Sequence, residues 1–345
     1  GLDGSDIEQI LDFAAGNRAP AFGKGEAETV DYMKRYSEIL RDKIKEGVKA
    51  EDYEHPLKGF HIVVDAGNGA GGFYATDVLE PLGADISGSQ FLEPDGMFPN
   101  HIPNPENEAA MQSVCRATGR AAAALGGGCV PEVARGGAGA GRGAELNRNR
   151  LVAVASAIAL EGNPGGTIVT DSITSSGLNE YIEETLGGRH HRFKRGYRNV
   201  INEALRLNRE GVNCPLAIET SGHAALRENY FLDDGAYLVT KIIIKLAVLR
   251  RECKKLEDLL AGLREPAEAT ELRMAISDPD FRACGNRVID GLEQWAKSHG
   301  WQIAPDNYEG IRVSFGKGEG EGWFLLRLSV HDPILPLNVV SDTAG

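Results

Sequence analysis

Apolar positions in this chain recur with two different periods, and the switches between them mark out its elements. Ser5, Asp6, Ile7 and Glu8 fit a capping box that opens a short helix to Ala15. After a loop with Pro20, the residues Val30, Met33, Tyr36, Leu40 and Ile44 fall at helical spacing and predict an amphipathic helix over roughly 26–46. Both helices read as packing elements. Phe60–Asp65 is instead a short unbroken apolar run, as in a buried strand, followed by a helical pattern to Leu82 and a second strand at 84–86. Leu151–Leu160 reads as a buried helix, 166–171 as a strand, and 172–176 as turn and cap for a helix to Leu186. A helix at 200–209 precedes an apolar strand that ends in Glu219. Gly235–Arg250 is a long helix with Leu238, Ile242, Ile243, Leu246 and Leu249 on its apolar face, and Leu256–Leu263 a short one. Pro266 marks a hinge. Beyond it, segments 272–276, 281–299, 301–303, 311–315 and 322–329 alternate as strand, helix and three strands, a compact α+β unit.

One window breaks the pattern. Residues 116–143 read RATGRAAAALGGGCVPEVARGGAGAGRG, and no aspartate occurs between Asp95 and Asp171. Ala, Gly and Arg without periodicity bury no core, so this window reads as a flexible loop.

Composition narrows the function classes. A length of 345 residues suits two or three domains, and 42% hydrophobic with 25% charged residues is ordinary for a soluble globular protein. No apolar run is long enough to span a bilayer. The net charge of -13 argues against nucleic acid and anionic membranes as main partners. A phosphorylated small molecule, which needs only a local basic pocket, stays open. Cys115, Cys129, Cys214, Cys253 and Cys284 are scattered, odd in number and outside any CxxC or Cys/His cluster, which implies a reducing compartment and no structural zinc. Gly1 in place of methionine implies a processed, trimmed or partial chain.

Four places carry candidate chemistry. Gly67–Gly72 (GNGAGG) follows the first strand and matches GxGxxG. It reads either as a dinucleotide fingerprint, with Glu93 placed for the ribose, or as a tight turn with close helix–strand packing. Asp65 beside the loop and the break at Pro94–Asn100 count against the dinucleotide. His101, in a proline-dense loop, is as readily structural as catalytic. The basic run His190–Asn199 suits a phosphate or a substrate-facing loop, or a solvated turn. Its two histidines lack a partner pair at ligand spacing, so they are not read as a metal site. Around Glu219 the chain breaks into Thr220, Ser221, Gly222 and His223, with Asp233 and Asp234 shortly after. A carboxylate, a hydroxyl and an imidazole on one Gly-containing turn after a strand suit the presentation of groups to a polar substrate. Ser221 as a nucleophile lacks an aspartate-oriented base and an oxyanion turn. Arg327 and Ser329 offer a guanidinium fork and a hydroxyl for a phosphate, unless Arg327 is only an edge-strand charge.

Taken together, DAGNGAGG at 65–72, PDGMFPNHIPNPE at 94–106, ETSGH at 219–223 and RxSxxxP at 327–333 resemble the phosphohexomutases, the phosphoglucomutase/phosphomannomutase superfamily. HDPILPLN at 331–338 is similar to a plastid and bacterial phosphoglucomutase-like subgroup. The resemblance implies an α/β fold of tandem phosphohexomutase domains followed by a smaller α+β domain. Residues 1–52 would be the end of domain 1, 53–150 domain 2, 151–265 domain 3 with the sugar-recognition loop, and 266–345 domain 4 with the phosphate-binding loop. It implies Glu219, Ser221 and His223 for the sugar, Lys194 and Arg195 in a turn reaching the cleft, and Arg327, Ser329 and His331 for the non-reacting phosphate of a hexose phosphate or bisphosphate. It implies an isomerase that moves a phosphoryl group through a phosphoserine with Mg2+, in the chloroplast or else the cytoplasm.

Two family features are missing. No TASHNP-like serine loop occurs in the chain, and the DxDxDR metal loop is not recognisable, since Glu132 alone cannot replace three aspartates. Family-like sequence resumes abruptly at Glu145–Arg150, which fits a window read in the wrong frame of a GC-rich gene better than natural divergence. Three functions follow: a mutase chain inactive as it stands, a non-catalytic phosphosugar-binding homologue, or an NAD-dependent enzyme using Gly67–Gly72.

Overall fold

The computed structural model describes residues 4–16, 25–102, 104, 107–121, 125–129, 136–140, 144–146, 148–305, 307–316, 318, 320–329 and 332–343. The chain forms two compact units, Gly1–Tyr36 and Ser37–Gly345. In the first, α1 (Gly4–Ala15) forms where the capping signal predicts it. Ile7, Ile10, Leu11 and Phe13 remain 47–62% exposed, so α1 is not the packing element its pattern suggests. The helix expected over 26–46 starts later, as α2 (Tyr32–Val48), and from Ser37 onward it belongs to the second unit, where Leu40, Ile44 and Val48 are buried.

The second unit holds three sheets. The first joins β1 (Ile62–Asp65), β2 (Leu125–Cys129), β3 (Gly136–Ala140) and β4 (Ala144–Leu146) in that order, with β1 parallel to β2 and the other pairs antiparallel. The expected helix to Leu82 is a succession of 3-10, π and 3-10 turns over 70–82. The expected strand at 84–86 is reduced to a single parallel bridge between His61 and Asp85. The Asp85 carboxylate accepts from the Ser87 amide 2.9 Å away, a local turn that competes with the ladder.

The window 116–143 departs most from expectation. Its first residues complete α3 (Glu108–Ala121), and β2 and β3 pair along five positions each. A strand ladder is built from backbone groups, which Gly and Ala carry like any residue. Leu125 at the start of β2 and Leu146 at the end of β4 are both buried in the core.

The second sheet has the order β6-β5-β7-β8, formed by β5 (Thr167–Thr170), β6 (Arg189–Arg192), β7 (Leu216–Ile218) and β8 (Ala224–Leu226). β5 runs parallel to both β6 and β7. Around it lie α4 (Asn149–Glu161), α5 (Ser176–Glu180), α6 (Tyr197–Arg209) and α7 (Gly235–Arg251). α7 is the expected long apolar helix, capped by Asp234 accepting from the Tyr237 amide. It ties two sheets together through the buried Tyr74–Thr240 hydroxyl pair at 2.7 Å.

The last sheet is antiparallel in the order β10-β11-β12-β13-β9, with β9 (Glu268–Ala275), β10 (Gln302–Ile303), β11 (Ile311–Phe315), β12 (Gly322–Leu326) and β13 (Ile334–Ser341). α8 (Phe281–Ser298) covers one face, packing Ile289 and Ala296 on Ile311, Val313, Leu326 and Leu335. Alternation along β11 and β12 turns Arg312 and Trp323 to the opposite face, where the guanidinium lies 3.6 Å from the indole centroid. β13, an eight-residue strand with Pro336 inside it, is not among the strands the sequence pattern predicts. Among the described residues no helix is long and apolar enough to cross a membrane.

Candidate functional site

Strands β5 and β7 are parallel neighbours, with Thr170 opposite Ile218. The residue after each is a carboxylate, Asp171 and Glu219, so the topology sets two acids side by side at one sheet edge. Asp171 is 0% and Glu219 3% exposed. A tight turn follows, in which the Glu219 amide donates to the His223 carbonyl (2.9 Å) and the Gly222 amide to the Glu219 carbonyl (3.0 Å). Within it the Ser221 hydroxyl donates to Glu219 Oε2 at 3.4 Å, and the Gly196 amide donates to Oε1 at 2.6 Å. Thr220 donates its hydroxyl to Asp171 Oδ2 at 2.7 Å.

Burial pushes the Glu219 carboxyl up to about 7, and the neighbouring Asp171 charge adds to the rise; the Gly196 amide, Arg195 and Ser221 oppose it. Asp171 is also raised, first by burial, with Arg195 and Thr220 opposing. Between the ordinary glutamate value of 4.5 and about 7 the folded chain keeps a proton on Glu219 that the unfolded chain has released. Stability from this group is therefore full below 4.5 and is lost as pH rises through 7. Denaturant melts of Glu219→Gln are expected to lack this fall, which in the parent chain reaches about 3 kcal/mol. Identical pH slopes for the two chains would show that Glu219 is not protonated by burial.

The other predicted residues are placed as follows. His223 is buried, with Nδ1 2.7 Å from Asp233 Oδ2 and its ring stacked on Tyr197 at 5.0 Å. It is thus oriented by Asp233, while the described partner of the Ser221 hydroxyl is Glu219. Of the basic run, Arg189–Arg192 forms β6 rather than a turn. His190 is locked between Thr170 Oγ1 (2.7 Å) and Asn179 Oδ1 (2.9 Å), and burial holds its pKa well down. His191 meets Glu203 at 2.9 Å. Only Lys194, Arg195 and Gly196 make the turn that faces Glu219; Lys194 is exposed.

Arg327 follows β12 in the C-terminal sheet. Burial lowers its pKa, Arg195 does so as well, and Glu309, Glu271 and Asp171 counteract it. Its Nε is buried with no hydrogen-bond partner among the described residues. The Ser329 hydroxyl accepts from the Asp332 amide at 3.2 Å, which leaves its proton for donation. His331 lies outside the described residues. A cavity of about 450 Å3 is lined by Arg195, Thr220, Glu271, Arg273 and Asn338 among others, with Glu219, Ser221 and Arg327 outside its lining.

Sequence reasoning passed over Asp171, Thr220, Glu309 and Arg312. A signal existed for the first: two parallel strands that each end in a carboxylate. None existed for Glu309 and Arg312, which reach this site only through tertiary packing. Their partners are Ser172, Thr174 and Arg195.

The glycine loop is arranged otherwise than a dinucleotide site requires. The Gly67 amide donates to Asp65 Oδ1 (3.0 Å), that of Asn68 to the Phe91 carbonyl (2.9 Å) and that of Gly69 to the Ala66 carbonyl (2.8 Å). A Cβ at Gly72 would lie 1.9 Å from the Leu92 carbonyl oxygen, so close packing explains that glycine. Asp65 also meets His101 Nε2 at 3.0 Å, which puts His101 in a structural pair. Among the described residues no group of three or more His, Cys, Asp or Glu is arranged to hold a metal ion.

Residues 37–138 match the family description "phosphoglucomutase/phosphomannomutase, alpha/beta/alpha domain II", and residues 147–266 match domain III of the same family. The chain belongs to the phosphoglucomutase/phosphomannomutase family. A phosphomannomutase/phosphoglucomutase of Pseudomonas syringae pv. tomato is 30% identical over 322 residues, 93% of this chain and 63% of that protein. The chain thus spans less than two thirds of that relative's length. A family protein from Burkholderia thailandensis superposes with a TM-score of 0.78 at 26% identity, over 99% of this chain and 67% of that one. An Aspergillus fumigatus N-acetylphosphoglucosamine mutase, solved with GlcNAc-6P and magnesium, shares the fold at a TM-score of 0.59 and 13% identity, covering 90% of this chain and 67% of that one.

Proposed function

We propose that this chain is the recognition part of a phosphohexose mutase: it binds a hexose phosphate or bisphosphate and does not turn it over. The observation that carries this reading is the buried Glu219, bonded by Ser221 and by the Gly196 amide of the basic turn. When ionised, its carboxylate accepts from sugar hydroxyls, and Ser221 supplies the paired donor or acceptor. Arg327 and Ser329 take the phosphate, the arginine through its fork and the serine through its hydroxyl proton. The beside-lying cavity is of the size that small polar ligands occupy.

The family's magnesium does not fit the residues described. The segment where a metal loop belongs, 125–140, contributes glycine, alanine and cysteine to two strands and no aspartate. A hard divalent cation needs oxygen ligands, carboxylates above all.

Isothermal titration of the chain with glucose 6-phosphate, with NAD as the comparison, tests the reading. Saturable binding of the phosphosugar and none of NAD is expected. A mutase assay with magnesium and a bisphosphate activator is expected to show no turnover. Clear turnover would falsify the non-catalytic part, and absence of phosphosugar binding the whole.

A further inference from the structure

The loop between β10 and β11 reaches out of the C-terminal sheet and grips the sugar-recognition loops. Glu309 Oε1 accepts the Arg195 amide at 2.9 Å and also the Ser172 hydroxyl. The loop is stiff. Asn307 donates to the Gly310 carbonyl (3.1 Å) and accepts the Arg312 amide (2.9 Å). Gly310 sits at φ 58, where a Cβ would lie 2.0 Å from the Leu326 carbonyl oxygen. Tyr308 packs on Phe193 with ring centroids 4.9 Å apart. Arg312 donates to the carbonyls of Ser172 (2.6 Å) and Thr174 (3.1 Å).

These contacts close a ring. From Glu309 it passes through the Arg195 amide to the next amide, Gly196, and on to Glu219. From Glu219 it follows the chain to Thr220, crosses to Asp171 by the hydroxyl bond, follows the chain to Ser172, and returns to Glu309. Every member but one belongs to the β5–β7 loops. Glu309 is the exception, carried by the sheet that carries Arg327.

We propose that Glu309 is a positioning residue that couples the sugar carboxylate Glu219 to the domain holding the phosphate. Its role is to fix the Arg195–Gly196 amide pair, so that Glu219 is aimed at the sugar only while the C-terminal sheet is docked. The inference rests on Glu219 being the sugar ligand. The Arg195 and Gly196 amides lie in successive peptide planes hinged at the Arg195 Cα, and their bonds to Glu309 and Glu219 fix that hinge from both sides. Releasing the first frees φ and ψ of Arg195, and with them the aim of the second amide and of the carboxylate that accepts it.

Two readouts test this on the full chain. The first is amide exchange at Arg195 and Gly196 without ligand. The second is titration calorimetry with glucose 6-phosphate and, separately, inorganic phosphate. Glu309→Ala is expected to speed exchange at both amides tenfold or more. It should weaken glucose 6-phosphate about tenfold and leave inorganic phosphate within twofold. Glu309→Gln keeps an oxygen acceptor for both donors and is expected to restore most of the affinity. Ser172→Ala, which removes one donor and leaves no charge unpaired, should shift exchange at the same amides to a smaller degree, and decides the matter if Glu309→Ala does not fold. Faster exchange at Arg195 with Gly196 unchanged would overturn the coupling. So would an equal loss for inorganic phosphate, which would mark general damage to the C-terminal sheet. If the parent chain fails to bind glucose 6-phosphate, the recognition reading falls, and the exchange data still decide the coupling.

Discussion

Arg327→Ala is expected to weaken glucose 6-phosphate about a hundredfold, roughly 2.7 kcal/mol, measured by titration calorimetry. Hydrogen bonds from a charged donor contribute about 1.5–3 kcal/mol each, and a guanidinium offers a phosphate two at once. Arg327 is well placed to deliver that value. It is half-buried, and its Nε has no partner among the described residues. A bound phosphate therefore supplies an acceptor the fold does not, in surroundings where water competes little. Arg327→Lys keeps the charge and loses the fork, so a loss of about tenfold is expected. Stability should change little, because the alanine removes a cation whose burial is itself unfavourable. Undiminished affinity in Arg327→Ala would leave the phosphate without its assigned partner.

Gly310→Ala is expected to cost about 3 kcal/mol or more of stability. Two terms add. The φ of 58 is strained for any residue with a Cβ, and the new atom would meet the Leu326 carbonyl oxygen at 2.0 Å and the Arg327 Cα at 2.7 Å. Relief requires β11 and β12 to separate where Arg327 leaves the sheet, so affinity for glucose 6-phosphate should fall with stability. Gly291→Ala is the comparison in the same domain. That glycine lies exposed in α8 with nothing within 4 Å of a built Cβ. Replacing a helical glycine at such a place is expected to stabilise by about 0.5–1 kcal/mol. Thermal melts of the two variants should move in opposite directions, and a neutral Gly310→Ala would show that the β10–β11 turn is not held as described.

Much of the fold was legible because burial leaves a local trace. Ile311–Phe315, Gly235–Arg251 and Asn149–Glu161 were found nearly to the residue, each being an apolar segment with a clear stop. β13 left no such trace. Pro336 within it and Pro333 just before it argue against a strand, yet Pro336 sits opposite Arg273 on the neighbouring edge strand β9 and accepts from the Arg327 amide through its carbonyl. The window 116–143 misled in the other direction. Its composition says nothing about a ladder that needs only backbone. At the site, Glu219 and Ser221 were legible because strand, turn and hydroxyl follow one another in the chain. Glu309 was not, since 90 residues separate it from Glu219 and only packing brings its loop to Arg195.

The pairing of β2 with β3 sets Gly126 against Gly139, Gly127 against Ala138, Gly128 against Gly137 and Cys129 against Gly136. Nothing in those side chains distinguishes this alignment from one displaced by two residues, because alternate positions on each strand are nearly interchangeable. The register of this ladder is therefore set at its border, where the buried Leu125 lies opposite Ala140, and not by its glycines.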